Sequence, residues 1–161
     1  MKDINQFLDK DLPHNLEAEK SIHAGIILES SYIDRALEIL SIGDFYNEAH
    51  RNIFSTIIEL SENGQPFDLS PLTNALKDKG LLDLVGGISY LSSLVKNIPS
   101  AVNVGKYAEI VKNSAGLRKL IRAAEKIIND SKVTNANIYV VLDKAEQSIF
   151  EIRSVYDSKH C

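Results

Sequence analysis

A single cysteine in 161 residues, at the terminal position Cys161, excludes an intramolecular disulfide and any cysteine-rich zinc site. The fold therefore has to rest on packing. No run of apolar residues is long enough to span a bilayer. The opening MKDINQFLDKDLPHNLEAEK mixes acids with bases and has no hydrophobic signal core, so the default compartment is the cytoplasm. Positive charge is not in excess either. A formal net charge of -4 argues against tight, sequence-independent nucleic-acid binding by the chain as a whole, because that affinity comes from basic side chains displacing counterions.

Catalytic and metal-binding patterns are missing as well. The Gly105-Lys106 pair is followed by Tyr107, and Ser100 stands where a phosphate-binding loop needs its first glycine, so no Walker A site is expected. His14, His23, His50 and His160 lack metal-ligand spacing with one another or with a carboxylate pair, and hydrogen bonding or surface exposure is the expected role of His23 and His50. His160-Cys161 supplies only two potential ligands at a chain end. The chain is expected to have no catalytic, cofactor-binding or metal site of its own.

What remains, 44% apolar and 25% charged residues, is an ordinary globular composition of a size for one domain or a compact head with an appended element. Order begins at Pro13. Asn15 is placed to cap a helix with Glu17 and Glu19 in its first turn and Leu16, Ile22, Ile26 and Ile27 as apolar positions, ending near Glu29. Ser31 and Asp34 resemble a capping box for a short helix through Ile33, Leu37 and Leu40, running to Gly43. A third helix carries Ile53, Phe54, Ile57, Ile58 and Leu60 and stops at Asn63-Gly64. Ser70-Pro71 predicts a fourth start and Gly80 its end; Gly86-Gly87 opens a fifth through Ile88, Leu91, Leu94 and Val95 before Pro99. No convincing strand is expected. Tyr139-Val140-Val141-Leu142 has strand-like residue types inside a longer 3.6-residue pattern and is read as helix.

From Ser100 the chain shows about 30 residues of helical pattern, a break near Ser131 to Asn135, then about 20 more, rods of roughly 45 and 30 Å. The fold class is all-α: a globular bundle of short helices followed by a long antiparallel helical hairpin. Its parts are a tail over 1–12, a head over 13–99, the hairpin over 100–156 and a tail over 157–161. Heptad positions put Leu117, Leu120, Ala124 and Ile127 at the core of the first rod, with Ile121 and Ile128 beside them. The second rod places Ile138, Val141, Ala145, Ser148, Ile152 and Val155 likewise, with Leu142 and Ile149 beside them. Each stripe is wider than a two-helix seam requires. Burying an Ile or Leu contributes on the order of 1.5 to 3 kcal/mol, so the spare surface favours a second copy, with Leu117, Leu120, Ile121, Ile128, Leu142, Ile149 and Ile152 as the oligomer interface. The head packing onto the same face is the alternative.

Seven bases between Lys106 and Lys132 stand against three acids, Glu109, Glu125 and Asp130. A rod guiding single-stranded nucleic acid or an acidic partner is one reading and a solvated face the other; no aromatic row interleaves the bases. Gly116 costs a helix roughly 1 kcal/mol relative to alanine unless close packing or bending requires it. Tyr90 lies off the stripe of Ile88, Leu91 and Val95, as a partner contact or a tyrosine half-buried at the head's edge.

Five strings in order, PHNLEAEKSI, DFYNEAHRNIF, GQPFDL, GGISYLSSL and PSAVNVGKYAEIVKNSAGLRKLI, resemble the N-terminal domain of DnaB-type replicative helicases over about Leu12 to Val155. His23 stands where that family usually has an aliphatic residue, and Gly116 where it commonly has a larger apolar side chain. The resemblance implies a helical head with hairpins that pair, as a dimer or a trimer-of-dimers hexamer, into a collar that docks a DnaG-type primase, with a helicase loader as a further partner. On the matching positions it implies that Tyr90, Ile121 and Ile127 lie on or near the surface used by primase or a neighbouring hairpin. ATP, magnesium and most contact with single-stranded DNA belong, on this resemblance, to a RecA-like motor absent from this chain, an N-terminal fragment with no enzymatic activity. A freestanding regulator that imitates the collar is the alternative.

Overall fold

The computed structural model describes residues 11–96 and 103–157. Pro99, the Ser100 start of the first rod, the polar start of the chain and the His160-Cys161 pair lie outside the described residues. Seven α-helices, and no strand, are present among those described.

Helix α1 (Leu16–Leu28) begins as its cap demands: the Asn15 side chain accepts from the Ala18 backbone N–H at 2.9 Å. Helix α2 (Tyr32–Ile39) is shorter than expected and lacks the expected box. Ser31 turns its hydroxyl to Glu29 instead, at 3.1 Å. The chain then leaves the helix at Leu40 and makes a 3-10 turn over Ile42–Asp44, where the Asp44 carboxylate accepts from the Ser41 N–H at 2.8 Å. Helix α3 (Glu48–Glu62) is capped by Asn47, which accepts from Ala49 and His50. It closes at Gly64, whose φ of 65° lets the Gln65 N–H return to the Leu60 carbonyl at 2.8 Å.

Helix α4 (Leu69–Asp78) starts two residues ahead of the expected Ser70-Pro71 signal, with Asp68 at the cap. Pro71 is tolerated because the first turn leaves its N–H positions without helical partners anyway. Helix α5 (Gly87–Lys96) turns Leu91, Leu94 and Val95 of the expected stripe to the core, but Ile88 is 60% exposed and Tyr90 is half-buried against the core. Helices α6 (Val104–Ser131) and α7 (Ile138–Asp157) are the two rods, including the strand-like 139–142 segment.

The chain divides into two compact units, one of them His14–Lys112 and the other containing residues 11–13 and Asn113 onward. The boundary expected at 99/100 therefore falls inside α6. The physical reason is that Val104, Ala108 and Val111 are buried in the same core as Ile22, Phe45, Phe54, Ile57, Leu72 and Leu91. Lys112 completes that unit by an ion pair with Asp44 at 2.9 Å, both side chains nearly buried.

Candidate assembly face on the helical hairpin

Along α7 no residue is buried. Its half-buried positions are Val141, Ala145, Ser148, Ile152 and Val155, which the heptad reading put at the seam, together with Tyr156, which it did not, while Ile138 is 61% exposed. On α6 the order within the stripe is exchanged. Leu117 and Leu120, expected at the seam, are exposed, and Ile121, Ile127 and Ile128, two of them expected at its side, are half-buried. The buried residues of this stretch are two small ones, Ala115 and Ala123, and Arg118, which donates from Nη1 to the Pro13 carbonyl at 2.7 Å.

Between the two rods lies an apolar groove of about 270 Å³, lined by Leu117 and Leu120 from α6 and Ile149, Ile152 and Tyr156 from α7, with Asn113 and Arg153 at its margin. Gly116 forms part of its floor. The Tyr156 ring packs so closely there that a Cβ at position 116 would overlap its hydroxyl end, which is the close approach that a glycine in mid-helix requires. Leu142 and Ile149 continue the apolar face along α7, each just under half exposed. Of the seven expected interface residues, four are exposed here and Ile121, Ile128 and Ile152 are half-buried.

The head holds a second arrangement that the sequence does not announce. Glu19, 1% exposed, accepts from the Tyr46 N–H at 2.8 Å, the Asn47 N–H at 3.2 Å and His50 Nδ1 at 2.8 Å. Burial alone would raise its carboxyl, but these hydrogen bonds outweigh burial and hold it below the usual carboxylate range. His50 Nε2 meets the Tyr90 hydroxyl at 2.6 Å, so one carboxylate, one imidazole and one phenol link α1, α3 and α5. Burial, followed by the charges of Glu19 and Glu17, pushes the Tyr90 phenol up. Tyr90 is thus half-buried with its hydroxyl engaged, not a freely displayed ring. A clue was present in the polar tip of a residue flanking a core stripe, but its partner is 40 positions away.

His23 is fully buried, Nδ1 facing the Glu19 carbonyl at 2.8 Å and Nε2 the His50 carbonyl at 3.0 Å. Burial, followed by the proximity of His50, lowers it to about 4, so it is neutral and donates to one of the two carbonyls. Hydrogen bonding, not ligation, is its role. Among the described residues no group of three His, Cys, Asp or Glu side chains is placed to hold a metal, and no helix is long and apolar enough to cross a membrane. The basic stretch is partly consumed: Lys112 is paired with Asp44 and Arg118 is tied to Pro13, whereas Lys106, Lys119, Arg122, Lys126 and Lys132 are exposed.

Seven α-helices among the described residues, with an apolar groove left open along the last two, define an all-α domain. The sequence model of the DnaB-like helicase N terminal domain matches residues 11–113, and the chain belongs to that family. It is 37% identical over 144 residues to the replicative DNA helicase DnaC of Bacillus subtilis (strain 168), covering 89% of this chain and 32% of that protein. Identity to the replicative DNA helicase DnaB of Geobacillus stearothermophilus is also 37%, over 91% of this chain and 32% of that protein. The crystal structure of the N-terminal domain of DnaB helicase from Mycobacterium tuberculosis superposes with a TM-score of 0.82 at 35% identity, covering 88% of this chain and 99% of that one. The chain spans about a third of the length of the curated relatives it matches.

Proposed function

We propose that this chain assembles copies of a replicative DNA helicase through its hairpin and docks a DnaG-type primase, with no turnover of its own. The observation that carries the reading is the open groove. Leu117, Leu120, Leu142 and Ile149 are each 43–47% exposed on one hairpin, and α7 buries nothing. At on the order of 1.5 to 3 kcal/mol for fully burying such a side chain, covering the remaining exposed part of four of them favours pairing with a second hairpin. Relatives that are replicative DNA helicases support the same assignment.

On this reading the product is a dimer or a trimer-of-dimers hexamer in the cytoplasm. Ile121 and Ile127, with the exposed edge of Tyr90, contribute to the primase surface, and a helicase loader is a further partner. ATP, magnesium and most of the contact with single-stranded DNA belong to a motor region beyond the span described here. Light scattering on the wild type beside Leu120→Asp and Ile149→Asp tests the assembly. Associated wild type and folded variants of lower mass are expected; a wild type that is monomeric at high concentration refutes it. Titration of a DnaG-type primase against wild type and Ile127→Asp tests docking, with weakened binding expected in the variant. Protein-dependent ATP hydrolysis by the chain would contradict the absence of turnover.

A further inference from the structure

The hairpin carries two more surface features that the groove leaves unused. On α6, Lys119, Arg122 and Lys126 follow one another at helical spacing, all exposed and on the side of the helix away from Leu117, Leu120 and Ala124. On α7, Tyr139, Asp143, Glu146 and Phe150 form a straight row at intervals of four, three and four residues. All four are exposed, Tyr139 at 74% and Phe150 at 65%, among the largest exposures of any apolar side chain described. Among the described residues none of these three bases and two acids meets an oppositely charged side chain. Like charges one helical turn apart repel, so the acids of α7 gain from an opposite charge outside their helix; on α6, Glu125 and Asp130 stand at helical spacing from Arg122 and Lys126 but form no ion pair with them, leaving those bases available.

We infer that the basic row of α6 in one copy docks on the acidic, aromatic-flanked row of α7 in another copy, a charge-driven contact separate from the apolar groove. The dimensions match. The three bases span roughly 10 Å of helix, and the two aromatic rings bracket the acids over roughly 16 Å, so the basic row fits between the rings with its end residues against their faces. The contact joins two different patches, so a pair of copies retains one unused basic row on one member and one unused acidic row on the other. It therefore extends an assembly to a ring or chain, whereas a self-complementary face stops at a pair. Single-stranded nucleic acid is the other polyanion the basic row would attract. It leaves the exposed Tyr139-to-Phe150 row unexplained.

The test uses two charge-reversed forms of the 161-residue chain: K119E/R122E/K126E and D143K/E146K. All five positions are exposed, and far-ultraviolet circular dichroism checks that both forms keep the wild-type helix content. Solution mass at low ionic strength is expected to be higher for wild type than for either form alone, and mixing the two forms should restore the wild-type mass. Raising the salt until the Debye length falls to roughly 3 Å should bring wild type down to the mass of the reversed forms. Reversed forms that keep the wild-type mass, or a mixture that fails to regain it, overturn the inference. So does tight oligothymidylate binding by wild type that K119E/R122E/K126E loses at unchanged mass, which assigns the basic row to nucleic acid. Leu120→Asp reports on the groove alone, so failure of the pairing in the proposed function is distinguishable from failure of this contact.

Discussion

Tyr90 is positioned by its hydroxyl as much as by its ring. Half-buried, it ends a chain of hydrogen bonds from Glu19 through His50, and removing the hydroxyl strips His50 Nε2 of its partner in a largely buried setting. Tyr90→Phe should therefore cost about 1–2 kcal/mol in urea denaturation, where a purely surface tyrosine would give no change. His23 makes a separate, pH-dependent contribution. Burial lowers it from 6.5 to about 4, so between these values the unfolded chain binds the proton that the folded chain refuses. Its contribution is complete above pH 6.5 and is lost as pH falls toward 4. The lowered carboxyl of Glu19 acts in the same direction further down: present above 4.5, lost in more acid solution. Stability should drop by about 2 kcal/mol from His23 between pH 7 and pH 5, and His23→Leu should flatten that part of the profile. A stability that is level from pH 7 to pH 5 in the wild type would show that His23 is not held neutral.

Helix α7 differs in kind from α1 and α3. Those two bury Ile22, Ile26, Ile53, Phe54 and Ile57 completely, and so open only with the core; α7 buries nothing over 20 residues and is held by one flank. Its amides should exchange with deuterium well before those of α1 and α3, and their protection should rise with protein concentration, because further packing for this helix has to come from another copy. Protection in α7 equal to that of α3 and independent of concentration would count against this. The contrast also marks what the sequence could convey. Asn15 before a periodic run, Asn63-Gly64 and Gly80 after one, and the long proline-free stretch located the helices, since caps and periods are local properties. Which flank of an amphipathic helix is covered is not local. Ile88 and Leu117 look like core by spacing and are exposed, although Leu91 and Leu94 of the Ile88 stripe are buried; around Leu117 the buried positions are Ala115, Arg118 and Ala123, chosen by neighbours that local spacing does not reveal. The Glu19–His50–Tyr90 chain was illegible for the same reason, its members lying 31 and 40 residues apart. The apolar surplus of the hairpin, by contrast, could be read directly, because an excess of stripe over seam is a count and needs no partner to be named.

At the scale of the molecule, the core is unevenly shared between the two units. Every residue of the main apolar cluster, from Ala18 to Val111, lies within His14–Lys112, as does the buried Lys112–Asp44 ion pair. Among the described residues from Asn113 onward the buried side chains are Ala115, Arg118 and Ala123. A fragment of residues 14–112 should accordingly fold alone, with a cooperative thermal transition within a few degrees of that of the full chain, and remain monomeric at concentrations where the full chain associates. A fragment of residues 113–157 should lose most of its helix on dilution, since helices without a buried face are marginal in water even at this length. Circular dichroism of the two fragments over a hundredfold range of concentration separates the cases. If the first melts without cooperativity, or the second stays helical at its lowest concentration, then stability is not partitioned as burial indicates, and the hairpin is an autonomous fold that does not depend on a second copy for its packing.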